Sequence, residues 1–149
     1  MDLEGRAALD AEPDAVFAEV ADLGTYPGWL GIVHGAEPAP TSAGDPGPAW
    51  MVELGARIGP LPLTKRVRMV RTSHRPPQQV RFERHEHDGE DHHAWVLTAE
   101  VEAAEAGSAL TVRLHYGGSV PLPGIEAILR EEVRKAGGRL QDRLGPPAG

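Results

Sequence analysis

The order of predicted elements indicates an α+β protein in which a curved antiparallel sheet of about six to seven strands wraps around a long C-terminal helix. Runs of alternating apolar and polar residues fill the middle of the chain. Apolar residues at helical spacing occur in a short segment near the N-terminus and a long one at the C-terminus, and no strand alternates with a helix as in a βαβ unit. We expect a single ligand-binding domain over residues 1–149.

The first forty residues predict a strand, two short helical segments and an edge strand. Residues 3–10 alternate in the manner of a strand. Pro13 suits the first turn of a helix, and its apolar stripe ends at Gly24. Residues 26–30 predict a turn or a second brief helix. Residues 32–38 predict an edge strand, because the proline at its end would be excluded from a central one.

Five further strands follow, joined by turn signals. They cover residues 50–58, 65–71, the stretch that begins at Val80, 95–101 and 110–116. Asp88-Gly89 is the preferred pair for a two-residue hairpin turn, and Ala106-Gly107 marks the next turn. These two turns set the register of the last three strands.

The last predicted element is the longest helix, whose apolar stripe runs from Ile125 to Leu144 before Gly145 ends it. Gly137-Gly138 lies inside it and costs about 1 kcal/mol per glycine relative to alanine. We expect either a bend over the sheet or the close approach of a ligand at this point. A long helix across a curved sheet encloses a ligand pocket where the facing side chains are small.

Composition and charge narrow the class of partner. The chain carries 15 Lys+Arg and 22 Asp+Glu, a formal net charge of -7, which makes nucleic acid a poor partner. It has no cysteine, so disulfides, thiolate zinc sites and thiol nucleophiles are excluded. No secretory signal pattern and no apolar run of about 20 residues is present. We expect a cytoplasmic protein, a monomer or homodimer, without a membrane span.

Several segments of the chain together carry a family resemblance. They are EPDAVF at 12–17, YPGWL at 26–30, PPQQVRFER at 76–84, the hairpin at 88–89, Trp95 and the closing helix. With these segments the chain resembles the START/SRPBCC superfamily. More narrowly, it is similar to the bacterial polyketide cyclase/dehydrase and lipid-transport family, whose helix-grip fold is that of the birch-pollen allergen. The resemblance implies an apolar cavity between the sheet and the last helix. It does not imply one reaction, since members bind lipids, hormones, quinones or polyketides and only some catalyse cyclisation.

The register predicts which side chains face the cavity. Counting back from Asp88-Gly89 pairs Phe82 with Trp95, and an even-length turn at Ala106-Gly107 places Leu97 opposite Tyr116. The same parity turns Arg84 and His93 inward at one end. The predicted ligand-binding residues are Trp29, Trp50, Val52, Leu54, Val67, Met69, Phe82, Arg84, His93, Trp95, Leu97, Leu114, Tyr116, Ile125, Leu129, Val133 and Gly137.

Catalytic residues are not identified by any motif, since no nucleophile elbow or phosphate loop is present. The candidates for acid-base work or for holding an enolate oxygen are Arg84, His93, Tyr116 and Arg71. For each, a strand-end side chain that reaches solvent is the plainer interpretation.

The histidines around Asp88-Gly89 resemble a metal site by composition alone. The hairpin register brings only His85 and His92 together on the outer face, so we predict no metal and no cofactor. The basic run at 65–71 fits either an exposed strand face or a docking stripe for an acidic partner such as an acyl carrier protein.

Three functions remain open from the sequence. The first is binding of a hydrophobic small molecule, such as a lipid, polyketide or other aromatic or isoprenoid compound. The second is cyclisation and dehydration of a poly-β-ketone by a polyketide cyclase or aromatase. The third is a non-catalytic interaction module, which would require a filled core.

Overall fold

The computed structural model describes residues 1–119 and 124–145. Seven strands and two α-helices occur there, with a 3₁₀ segment (Leu23–Gly28) after the first helix. The elements are β1 (Asp2–Leu9), α1 (Pro13–Val20), β2 (Val33–Ala39), β3 (Ala49–Ile58), β4 (Leu61–Arg75), β5 (Gln79–Arg84), β6 (Trp95–Ala104), β7 (Gly107–Tyr116) and α2 (Ile125–Leu144). They form one antiparallel sheet in the order β1-β7-β6-β5-β4-β3-β2. The predicted α+β class, strand number and position of the long helix are confirmed.

The short helical segments close one end of the sheet. Pro13 begins α1, and the helix buries Val16, Phe17 and Val20. The fully buried Tyr26 donates its hydroxyl hydrogen to the carbonyl oxygen of Val20 at 2.7 Å, which ties the 3₁₀ segment to α1. The second brief helix predicted for this region is therefore present as a 3₁₀ turn.

The connection between β5 and β6 differs from the predicted two-residue hairpin. Residues 85–94 form no strand, and the ladder pairs Phe82 with Leu97 and Val80 with Ala99. The backbone N–H of His85 instead donates to the carbonyl oxygen of Arg68 on β4 at 2.9 Å. The predicted pairing of Phe82 with Trp95 is wrong because this tertiary bond outweighs the local turn signal.

The turn between β6 and β7 lies one residue earlier than predicted. Ala104 pairs with Gly107, so Glu105 and Ala106 are the two central residues. Gly107 begins β7 with a φ of 141°, a conformation that favours glycine. Leu97 consequently faces Leu114, and Tyr116 faces Trp95. Both registers differ from prediction by two residues, which leaves the side chains within β5, β6 and β7 on their predicted faces.

Helix α2 crosses the concave face of the sheet and packs most closely on the edge strand β1. Its buried stripe is Ile125, Leu129, Val133, Ala136 and Leu140. Glycines on both elements allow this approach, since a Cβ at Gly5 would lie 2.7 Å from Cγ1 of Val133, and one at Gly137 would overlap the Cβ of Ala7. No helix in the two described ranges is both long and apolar enough to cross a membrane.

Large aromatic side chains fill the centre of the core. Tyr26 packs on Trp29 with ring centroids 4.4 Å apart and meets Phe82 edge-on at 5.8 Å. Trp50 also meets Phe82 edge-on, at 5.5 Å. The space left open between sheet and helix therefore lies at the end of the sheet away from the 3₁₀ segment.

Candidate functional site

A cavity of about 300 Å³ lies at the end of the sheet where the β3–β4 hairpin, the start of β6 and the first turns of α2 converge. Its inner wall consists of buried apolar side chains. They are Ile32, Leu54, Ala56, Trp95, Ile125 and Leu129. The volume is at the lower end of the range for small-molecule sites.

Polar groups of the cavity lie at its mouth. Thr64, Lys65 and Ser119 line the cavity and are exposed, and Tyr116 is half-buried beside them. An apolar interior with a polar rim that includes the Lys65 ammonium group suits a ligand with an apolar body and a polar or anionic end.

Trp95 is the largest side chain of the inner wall. Its ring stacks on Tyr116 with centroids 4.4 Å apart and planes inclined by 29°. The side chain is 8% exposed, and its indole N–H has no hydrogen-bond partner among the described residues. A buried donor left unpaired costs about 1–3 kcal/mol, so this N–H is a candidate partner for an acceptor.

Five of the predicted ligand-binding residues line this cavity. They are Leu54, Trp95, Tyr116, Ile125 and Leu129. Nine others lie in the packed core away from it, namely Trp29, Trp50, Val52, Val67, Met69, Phe82, Leu97, Leu114 and Val133. Gly137 contacts β1 instead, and its neighbour Gly138 faces open space. Sequence reasoning did not include Ala56 or Leu63 of the β3–β4 hairpin among the ligand-binding residues.

The catalytic candidates are only partly brought together. The His93 ring meets Tyr116 edge-on at 5.9 Å, and Arg84 Nη1 donates to the His93 carbonyl oxygen at 3.5 Å. Tyr116 lines the cavity, whereas Arg71 donates to the carbonyl oxygen of Ala21 at 3.3 Å. The Arg84 guanidinium, 7% exposed, pairs with the Glu86 carboxylate at 3.2 Å. His93 is exposed, so its predicted inward orientation is wrong: it lies in the irregular 85–94 connection, where strand parity no longer applies.

Two histidines of residues 85–94 contact an aspartate that sequence reasoning missed. Asp45 lies in the connection between β2 and β3, and its side chain is 1% exposed. Its Oδ1 lies 2.8 Å from Nε2 of His87 and 3.6 Å from Nδ1 of His85. The predicted cross-strand pair of His85 and His92 is not formed, because neither residue belongs to a strand. Nε2 of His92 instead lies 2.8 Å from Oδ2 of Asp88.

Asp45 is held as a carboxylate by hydrogen-bond donors. Arg68 Nη2 donates to Oδ2 at 2.7 Å, and the backbone N–H of Ser42 donates to the same oxygen at 2.7 Å. The hydrogen bond from Arg68 is the main reason that the pKa of Asp45 lies far below its usual range, and the hydrogen bond from Ser42 is the second. The same arginine also donates to the carbonyl oxygens of Pro40 and His85, so it fastens both connections to β4.

We expect Asp45→Asn to lower the free energy of unfolding at pH 7. Because the pKa is depressed in the folded state, the carboxylate stabilises the fold above its ordinary pKa of 3.8 and loses this contribution as pH falls toward the folded value. The difference in free energy of unfolding between wild type and Asp45→Asn should therefore become smaller below about pH 4. Urea unfolding at pH 7, 4 and 3 measures it, with the exposed Asp91→Asn as control; a difference independent of pH would contradict the expectation.

The fold and cavity define a class. A curved antiparallel sheet that grips a long C-terminal helix, with an apolar cavity between them, is the helix-grip architecture of START-like proteins. The chain belongs to the family described as "Polyketide cyclase / dehydrase and lipid transport", which matches residues 2–145. Family and fold together indicate a hydrophobic-ligand-binding or polyketide-cyclase-type protein.

Solved structures of low sequence identity share the fold. A START superfamily protein from Mycobacterium smegmatis superposes with a TM-score of 0.67 at 16% identity over 96% of both chains. The major latex-like protein 151 of Panax ginseng gives 0.65 at 14% identity over 98% of both. The Aha1 dimer of Colwellia psychrerythraea gives 0.63 at 13% identity, covering 100% of this chain and 99% of that one. No curated protein matches the sequence.

Proposed function

We propose that this protein binds a small amphiphilic molecule whose apolar body lies in the 300 Å³ cavity and whose polar end lies at the mouth. The observation that carries the proposal is the separation of wall and rim. Buried Leu54 and Leu129 face the interior, while exposed Lys65 and Ser119 border the opening. Apolar surface of the ligand leaves water inside, and its polar end keeps hydrogen bonds at the rim.

The cavity size and the unpaired Trp95 donor narrow the ligand class. A volume of about 300 Å³ favours a short or compact molecule over a long-chain lipid. A carbonyl, ether or hydroxyl oxygen within reach of the Trp95 indole N–H would supply the partner that this buried donor lacks among the described residues. An oxygenated aromatic or isoprenoid compound meets both conditions.

The cyclase alternative has less support. Chemistry on a poly-β-ketone needs an acid-base group beside the substrate and a donor for the enolate oxygen. Of the four candidates only Tyr116 lines the cavity, and His93 packs on it from an exposed position. Arg84 and Arg71 are engaged elsewhere. A carrier-protein docking stripe at 65–71 also loses support, since Arg68 is paired with Asp45.

A cavity-filling substitution tests the proposal. Ala56 lies on β3 with its side chain toward the cavity, so Ala56→Trp is expected to occupy the ligand space. We expect it to weaken binding of N-phenyl-1-naphthylamine, a neutral environment-sensitive dye, by about tenfold or more, because a bulky ring excludes the probe. Fluorescence titration of the folded protein measures the effect.

The matched control is Met51→Trp, which adds the same ring to the opposite face of β3 without changing charge. Its dye affinity should equal that of the wild type. Displacement of the dye by short oxygenated aromatics then ranks ligand classes. Equal affinities in Ala56→Trp and Met51→Trp, or no saturable binding by a protein with a cooperative melting curve, would refute the proposal.

A further inference from the structure

Two connections on the outer face of the sheet bring two imidazoles and one carboxylate together. Residues 85–94 follow β5, and residues 40–48 join β2 to β3. They meet over Arg68, which points away from the cavity because its neighbours Val67 and Met69 are buried on the inner face. This cluster is separate from the proposed ligand site.

The backbone after β5 aims both imidazoles at the same carboxylate. His85 and His87 are two residues apart, and Glu86 between them turns the other way to accept hydrogen bonds from the Arg68 backbone N–H at 3.1 Å and from Arg84. The His85 backbone N–H is fixed to the Arg68 carbonyl oxygen. Alternate side chains of this segment therefore project toward Asp45 as a pair.

The two oxygens of Asp45 have different surroundings. Oδ2 receives the close hydrogen bonds of Arg68 and Ser42, so protein donors already occupy it. Oδ1 faces the histidines, at 2.8 Å from Nε2 of His87 and 3.6 Å from Nδ1 of His85. From the protein it also receives a longer hydrogen bond of 3.4 Å, donated by Arg68 Nη1. The carboxylate thus has one oxygen held in place by outer donors and the other directed at two imidazole nitrogens, the arrangement that orients metal ligands.

We propose that His85 Nδ1, His87 Nε2 and Asp45 Oδ1 form a binding site for a divalent transition metal of the zinc class. The three atoms lie within 4.8 Å of one another. Tetrahedral zinc with bonds of about 2.0–2.2 Å keeps its ligand atoms about 3.4 Å apart, a value between the two measured distances. Imidazole and carboxylate ligands suit zinc, nickel or copper rather than calcium or magnesium.

The surroundings leave room for the ion and its water. The His85 and His87 side chains are 50% and 38% exposed, which gives an entry path and open coordination positions. Metal binding replaces the His87–Asp45 hydrogen bond, so His87 must carry its ring hydrogen on Nδ1. The Arg68 guanidinium, at 2.7 Å from Oδ2 and 3.4 Å from Oδ1, lowers the affinity for a cation below that of an unpaired carboxylate while keeping the ligand in position. The bound ion would fasten residues 40–48 to residues 85–94.

Zinc titration of the full chain, freed of metal by a chelator, tests the site. We expect one equivalent of Zn²⁺ by calorimetry, a rise in Tm, and a tetrahedral absorption spectrum when Co²⁺ is the probe. His85→Ala and His87→Ala should each weaken Zn²⁺ binding more than about tenfold. Asp45→Asn is a poorer test because it also removes the partner of Arg68.

His92→Ala is the matched control within the same connection, since His92 pairs with Asp88 instead. Its Zn²⁺ affinity should equal that of the wild type. Absence of saturable binding, or equal affinity in all three alanine variants, would overturn the proposal and assign any uptake to scattered surface histidines. Loss of binding in His92→Ala alone would also overturn it, because the metal would then lie at the neighbouring group of Asp88, Glu90 and His92.

Discussion

Phe82→Ala is expected to lower the free energy of unfolding by about 3–5 kcal/mol, the usual range for deleting a buried aromatic ring. Phe82 is fully buried on β5 between the rings of Trp50 and Tyr26. Tyr26 is anchored by its hydrogen bond to the Val20 carbonyl oxygen, which limits collapse of the core into the space left behind. Urea unfolding measures the loss.

The same variant distinguishes the cavity from the packed centre as the ligand site. Phe82 does not line the 300 Å³ cavity, so dye affinity of the folded variant should match that of the wild type. Leu61→Ala, at a 49% exposed side chain, is the control and should change stability by less than about 0.5 kcal/mol. A stability loss below about 1 kcal/mol would contradict the packing argument. An altered dye affinity would place the ligand among the central residues. Phe82→Leu allows the same comparison with a smaller loss of stability.

Strand faces could be predicted from the sequence, whereas strand partners could not. Alternation along β5 and β6 assigns Phe82 and Leu97 to the inner face in any register of the same parity. The partner of Phe82 depended on Asp88-Gly89 forming a two-residue turn. That signal is local. It was overridden by two hydrogen bonds to Arg68 on β4, one donated by the His85 backbone N–H and one accepted by the Glu86 carboxylate, which sequence spacing does not reveal.

The position of the cavity also required three-dimensional information. Strand alternation directs the side chains of Trp50, Leu54 and Phe82 to the inner face of the sheet. Of these three, only Leu54 lines the cavity. The difference arises because the 3₁₀ segment carries Tyr26 into the centre, and periodicity does not give the direction of that segment. Asp45 was missed for a similar reason: it approaches His87 across 42 residues of chain, from a connection without periodic pattern.

The two adjacent glycines of α2 are expected to respond in opposite directions to alanine. Gly138 faces open space, so Gly138→Ala should stabilise the protein by about 1 kcal/mol through helix propensity alone. Gly137 faces β1, where an added Cβ would overlap the Cβ of Ala7 and lie 3.6 Å from its Cα. Ala7 Cβ is fixed to the backbone of a strand, so it cannot rotate away.

Gly137→Ala should therefore destabilise the protein by up to about 2 kcal/mol, since an overpacking cost of about 1–3 kcal/mol outweighs a propensity gain of about 1 kcal/mol. Thermal or urea unfolding of the two variants side by side measures the signs, and each serves as the other's control because both add one methyl group to the same helix turn. If both variants were stabilised, α2 would not lie against β1 as closely as the glycines indicate. If both were destabilised, strain within the helix would replace contact with Ala7 as the cause. Stability changes of opposite sign would show that Gly137 is needed for the packing of α2 on β1. The alternative, a ligand close to this helix turn, is then not required, because the cavity lies at the first turns of α2.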